Sequence, residues 1–182
     1  MSIKKRDIWE WTKPLLIAVV LAFVIRAFFF EPSLVKGASM QPTLKDEDRL
    51  IIMKIGEPKR FDVVVFHATD EENYVKRVIG LPGDHIAYKK DTLYINGEPY
   101  DEPYLADYKE KVMDGNPLTY SFTLKDTAVG EQVVPEGHLF VMGDNRRVSR
   151  DSRSIGAIPM EKVIGTTKIV YYPFSEMKIL GN

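Results

Sequence analysis

Cysteine is absent from this 182-residue chain, which excludes disulfides, thiolate nucleophiles and cysteine-ligated zinc. Histidine is scarce. His67, His85 and His138 stand far apart without metal-ligand spacing, so neither an imidazole base nor a metal centre has support, and no cofactor is expected. A net charge of −1 and the lack of any Lys/Arg run leave no footprint for nucleic acid. Past the N-terminal apolar segment there is no helix-length amphipathic period, no internal repeat and no low-complexity tract, so the fold has to be built from strands.

The one long apolar run, residues 8–30, reads as a membrane-spanning helix. Its length is about 34 Å, against a hydrocarbon core of about 30 Å. Trp9, Trp11 and Lys13 suit one interface and Phe28, Phe29 and Phe30 the other, and Arg26 lies near enough to the far end to snorkel. Lys4, Lys5, Arg6 and Lys13 flank the near end, whereas Glu31, Asp46, Glu47 and Asp48 follow the span. The positive-inside rule then predicts a single-pass protein of the cell membrane, with residues 1–30 as cytoplasmic N-terminus and anchor and an extracytoplasmic body over 31–182. The rival reading is a cleaved secretory signal, with Val35-Lys36-Gly37-Ala38 as the cleavage site.

Beyond the anchor, short runs rich in branched residues at 49–53, 62–66 and 73–80 read as strands, separated by Gly and Pro clusters. Residues 86–88 and 92–95 follow, and Asn96-Gly97 is the favoured two-residue hairpin turn. Further strands are expected at 119–124, 131–134, 138–142 and 166–172, with a turn of helix near 161–165 and a charged surface excursion over 101–116. The fold class is mainly β: antiparallel sheets closed into a barrel-like body, with a smaller β insertion over 83–135.

Two residues suggest chemistry. Lys76 sits within the strand pattern Asn73-Tyr74-Val75-Lys76-Arg77-Val78, sharing a face with Tyr74 and Val78. Burying an ammonium costs several kcal/mol unless it is paired or loses its proton, and a deprotonated lysine is a usable base. Ser39 lies in the turn-forming stretch Gly37-Ala38-Ser39-Met40-Gln41-Pro42, where such a base could activate it without histidine. Taken singly, the lysine reads more simply as a snorkelling strand residue and the serine as a helix cap.

A polar cluster, Gly143-Asp144-Asn145-Arg146-Arg147-Val148-Ser149-Arg150-Asp151-Ser152-Arg153, follows an apolar strand. Asp144 and Asp151 can pair with Arg146, Arg153 or Arg77, and a hydroxyl such as Ser149 can orient a neutral lysine. The arginines would keep both carboxylates ionised, which opposes an aspartic dyad.

Together, Ser39-Met40-x-Pro42-Thr43-Leu44, Tyr74-x-Lys76-Arg77-x-x-Gly80-x-Pro82-Gly83-Asp84 and the Gly143–Arg153 motif, in that order after an anchor, resemble the bacterial type I signal peptidases, in their Gram-positive branch. The resemblance implies a membrane-bound serine endopeptidase that removes N-terminal signal peptides from exported preproteins after an Ala-x-Ala-like site. It implies Ser39 as nucleophile and Lys76 as general base, with Ser149 hydrogen-bonding the lysine. Asp144, Arg146, Asp151 and Arg77 would buttress the site, and Val35, Gly37, Tyr74 and Val75 would contact substrate. Implied partners are signal peptides and the lipid bilayer, with the protein-export machinery a further candidate.

This chain departs from the family pattern in three places. Gly37 stands where some members carry a second, oxyanion-stabilising serine, Phe61 where glycine is usual before Asp62, and Val148 where asparagine is common. Two other readings stay open: a Ser/Lys protease of the self-cleaving repressor type, and a membrane-tethered β domain that binds without catalysis.

Overall fold

In the computed structural model, which describes residues 5–69, 71–112 and 115–181 but not the side chains at 5–10, 24, 25 and 27, the apolar run folds as α1 (Lys5–Phe29). Its apolar side chains from Leu15 to Phe23 are exposed. Among the described residues no helix is long and apolar enough to cross a membrane. The side chains described without a break, 11–23, fall short of the roughly 20 residues that a span needs. Lys4 and the side chains of Lys5, Arg6 and Trp9, which carry the expected topology signal, lie outside the described residues.

The chain passes directly from α1 into β1 (Phe30–Leu34), an edge strand whose Pro32 is tolerated because only one side of the strand is paired. The other strands of the large sheet are β2 (Arg49–Met53), β3 (Val63–His67), β4 (Asn73–Gly80), β9 (His138–Met142), β10 (Ile158–Pro159), β11 (Val163–Tyr172) and β12 (Lys178–Ile179). The antiparallel order is β1-β2-β11-β3-β4-β9-β10, with β12 on β11. Register shifts along β11 and within β4–β9 curl the sheet. The expected closure is not reached, because β1 and β10 remain its two ends among the described residues.

A second sheet of β5 (Ile86–Lys89), β6 (Thr92–Ile95), β7 (Glu98–Tyr100) and β8 (Phe122–Thr123) falls within the stretch read as an insertion. Asn96 and Gly97 both take positive φ, 54° and 91°, as the tight β6–β7 turn requires. Ile79, Ile86, Tyr88, Leu93, Ile95 and Phe140 form the core between the sheets.

Three further expectations are corrected. Residues 131–134 form no strand: the Val134 N–H donates to the Asp84 carbonyl and its own carbonyl accepts from Gly83, an isolated link without a ladder. The strand at 119–124 shrinks to Phe122–Thr123. The excursion at 101–116 is not merely a surface loop. It carries a 3-10 turn at Pro103–Leu105 and α2 (Ala106–Lys111), and it buries Glu102 and Leu105.

Candidate active site

Ser39 is presented by a turn whose flanks are fixed in the core. Met40 and Leu44 are buried, the Leu44 N–H donates to the Met40 carbonyl, and the Gly37 N–H donates to Asp46 Oδ1 at 2.7 Å. Gly37 has φ +85°, a conformation that glycine adopts without penalty. The Ser39 N–H makes no hydrogen bond among the described residues.

Lys76 lies on β4 opposite Val64, and the face it shares with Tyr74 and Val78 packs against Phe66, Leu139, Val141 and Ile158. Only 3% of the residue is exposed. Its Nζ sits 2.8 Å from Ser39 Oγ and 3.0 Å from the Val75 carbonyl oxygen, and 5.0 Å from the centre of the Tyr74 ring. Burial lowers its pKa to about 8, against the opposing pull of the Asp151 and Asp144 carboxylates. When protonated, Nζ donates to Ser39 Oγ. When neutral, its lone pair faces the serine hydroxyl at the same distance and can accept the proton.

The polar cluster folds into a brace beside this pair. Asp144 takes two hydrogen bonds from Arg77, Nε to Oδ1 at 2.9 Å and Nη2 to Oδ2 at 2.7 Å, and both residues are fully buried. The remaining Arg77 arm donates to the Phe61 carbonyl at 2.8 Å, and the guanidinium lies 3.8 Å from the Tyr104 ring centre. Phe61 has φ +68°, which explains why glycine suits the position. A left-handed phenylalanine costs roughly 1–2 kcal/mol. Its ring contacts with Tyr100 and Tyr104 offset much of that, at about 0.5–1.5 kcal/mol each.

Asp151 accepts from the Gly143 N–H at 2.9 Å, caps α3 (Ser152–Ile155) and pairs with Arg153 through Nε and Nη2, both at 2.8 Å. A Cβ on Gly143 would overlap Ser149 Oγ and the Ser39 carbonyl oxygen, so only glycine lets the two loops meet.

Arg146 pairs with neither aspartate. Its guanidinium turns into the space between the sheets and bonds Glu102, the Tyr88 hydroxyl at 2.6 Å, and Thr119 Oγ1 and the Tyr104 hydroxyl at 3.3 Å each. Burial pushes the Glu102 carboxyl up, but Arg146 and the Tyr104 and Tyr88 hydroxyls outweigh it and hold the pKa below the usual value. Sequence reading missed Glu102, Tyr88 and Tyr104. The available signal was Glu102-Pro103-Tyr104-Leu105, an apolar and turn-forming interruption in a charged stretch.

Ser149 does not make the expected hydrogen bond to Lys76. Its Oγ is buried against Gly143 without a partner, while the lysine is already engaged by Ser39 and Val75.

The Ser39–Lys76 pair opens onto a cleft of about 410 Å³, lined on one side by Ser33, Leu34, Val35, Lys36 and Ala38 and on the other by Asn73, Tyr74 and Val75. Val148 and Arg150 also line it, whereas Gly37 is not among the lining residues.

Known proteins resemble this chain along most of its length. A family model described as "Signal peptidase, peptidase S26" matches residues 8–172. Signal peptidase I of Bacillus licheniformis is 50% identical, over 96% of this chain and 94% of its own. Signal peptidase IB of Staphylococcus aureus (strain COL) is 43% identical, also over 96% of this chain and 94% of its own. A crystal structure of a signal peptidase I from Enterococcus faecalis V583 superposes with a TM-score of 0.59 at 42% identity, covering 62% of this chain and 97% of that one. The chain belongs to the signal peptidase family, peptidase S26.

Proposed function

We propose that this chain is a membrane-anchored signal peptidase in which Ser39 and Lys76 form the catalytic dyad and residues 31–182 form the extracytoplasmic catalytic body. The observation that carries this reading is a buried lysine amine 2.8 Å from a serine hydroxyl at the floor of a cleft. Neutral Lys76 takes the proton of Ser39 as Oγ attacks the scissile carbonyl, and the resulting ammonium returns it to the leaving amine. Water then enters, Lys76 takes its proton as the oxygen attacks the acyl carbon, and the ammonium returns that proton to Ser39 Oγ as it leaves, which restores the hydroxyl and the neutral amine. The unengaged Ser39 N–H is the donor that meets the oxyanion.

The strand edges support an extended substrate. β1 is an edge strand, and β4 pairs with β9 only from Arg77 onward, so residues 73–76 have β3 on one side only. A peptide laid between the chain at 33–38 and that open edge of β4 would gain main-chain hydrogen bonds on both sides. Val75→Pro removes one such group and is expected to raise KM about tenfold or more, with kcat less affected; unchanged steady-state kinetics would count against the pairing.

The acidic limb of the pH profile follows from the lysine. With its pKa near 8, kcat/KM should climb with pH and reach half its plateau at about pH 8. A profile flat from pH 6 to 9 would remove Lys76 as the base.

For the anchor, Trp11, Leu15, Leu16, Ile17 and Phe23 each expose more than half of their surface on a helix continuous with β1. Such apolar surface is better placed in lipid than in water. The bilayer is therefore the partner we assign to α1, with the cleavable segment of a preprotein as the partner of the cleft.

A further inference from the structure

Asn145 touches the Ser39 turn twice and α2 once. Its backbone N–H donates to the Ser39 carbonyl at 3.0 Å, and its side-chain Nδ2 donates to the Ala38 carbonyl at 3.1 Å. Its Oδ1 accepts from the Tyr108 hydroxyl at 3.1 Å, which reaches over from α2. The Ala38 carbonyl shares a planar trans peptide with the Ser39 N–H, so the two groups point in opposite directions. Two donors hold that oxygen, Asn145 Nδ2 from outside the turn and the Gln41 N–H at 3.1 Å from within it, and together they aim that N–H. A hydrogen bond to the carbonyl also polarises the same peptide group and strengthens its N–H as a donor.

Gly37 adds no side-chain donor here, and its N–H is spent on Asp46. The orientation of the Ser39 N–H therefore carries more weight than it would in a site with two side-chain-assisted donors. The Ala38 carbonyl, which can only accept, fixes which way round the Asn145 amide sits, and the Tyr108 hydroxyl then donates to Oδ1 and steadies the side chain from the other end. The loop is held from the same excursion at a second point, where Arg147 donates to the carbonyls of Asn116 and Pro117 at 2.8 and 3.1 Å.

We infer that Asn145 is a positioning residue for the oxyanion donor of Ser39, and that the Tyr108 hydroxyl holds its side chain in place against the Ala38 carbonyl. The inference rests on Ser39 being the nucleophile. It gives the 101–112 excursion a part in transition-state stabilisation through contacts with neither Lys76 nor substrate.

The test uses the full chain in detergent, with a preprotein substrate and a peptide aldehyde whose tetrahedral adduct places an oxyanion at the Ser39 N–H. Removal of one oxyanion donor costs about 100- to 1000-fold in other proteases, so misaiming one in Asn145→Ala should lower kcat and aldehyde affinity together by about 10- to 100-fold. KM should stay within about twofold, because ground-state contacts are untouched. Asn145→Asp retains the Tyr108 contact but loses the Ala38 donor, and should lose at least as much. Tyr108→Phe, which keeps the ring, should give a smaller loss of the same kind, roughly three- to tenfold.

Wild-type kcat in Asn145→Ala or Tyr108→Phe, or a loss confined to KM, would overturn the inference while Ser39→Ala remains inactive. Should Asn145→Ala fail to fold, Tyr108→Phe decides alone. Cleavage surviving in Ser39→Ala would overturn the nucleophile assignment, and this inference with it.

Discussion

Lys76→Met is expected to abolish cleavage, by about 10,000-fold or more as for other members of a catalytic unit, while stabilising the fold at neutral pH. The two effects share one cause. In the unfolded chain the amine titrates near 10.5, whereas burial lowers it to about 8 in the folded protein. Below pH 8 the folded state therefore holds an ammonium it disfavours, a cost on the order of 3 kcal/mol. As pH rises from about 8 to 10.5 the folded lysine is neutral while the unfolded one still binds its proton, so wild-type stability climbs relative to the variant. Above that window both states are neutral and the penalty is gone. Urea unfolding at pH 7 and pH 10 checks this: the methionine variant should be ahead at pH 7 and lose most of its lead by pH 10. Equal differences at the two values would mean that burial is not what lowers the lysine.

Asp144→Ala should be among the most destabilising single changes in the chain. It strands the Arg77 guanidinium, fully buried, with only the Phe61 carbonyl and the Tyr104 ring for company. Breaking one side of such a pair costs about 3–5 kcal/mol, a large part of the 5–15 kcal/mol that holds a typical domain together. Removing both charges, as in Arg77→Met with Asp144→Leu, should be less harmful than Asp144→Ala alone, because no uncompensated ion remains. Denaturant midpoints for the three proteins decide it. A loss below about 1 kcal/mol in Asp144→Ala would show that water reaches the arginine and that the brace is not a dry one.

The parts of the fold that were legible in the sequence are those where a local pattern and the tertiary pairing agree. β2 and β4 match the branched runs at 49–53 and 73–80 residue for residue, β9 matches 138–142, and Asn96-Gly97 turns as its composition requires. β1 is hidden because its first residue, Phe30, reads as the end of the apolar helix and the rest contains Pro32, a strand disfavourer outside an edge. The branched residues at 131–134 misled in the opposite direction, since Val134 is buried singly without a strand to join.

The site divides the same way. Lys76 announced itself as a charge within a strand pattern, yet its distance from Ser39 depends on how the turn after β1 packs against β4. Charged residues in 101–116 read as solvated, because nothing local says that Glu102 will meet Arg146 between two sheets or that Tyr108 will reach Asn145. Ser149 was assigned a bond that the structure does not contain, and its buried Oγ lies against Gly143 instead.

Cleavage of a model preprotein by full-length protein in detergent tests the central claim most directly, with the cut located by mass spectrometry in wild type, Ser39→Ala and Lys76→Ala. One cut after an Ala-x-Ala-like segment in the wild type, and none in either variant, is the predicted result. Cleavage persisting in Lys76→Ala, or wild-type cutting that ignores such segments, would contradict it.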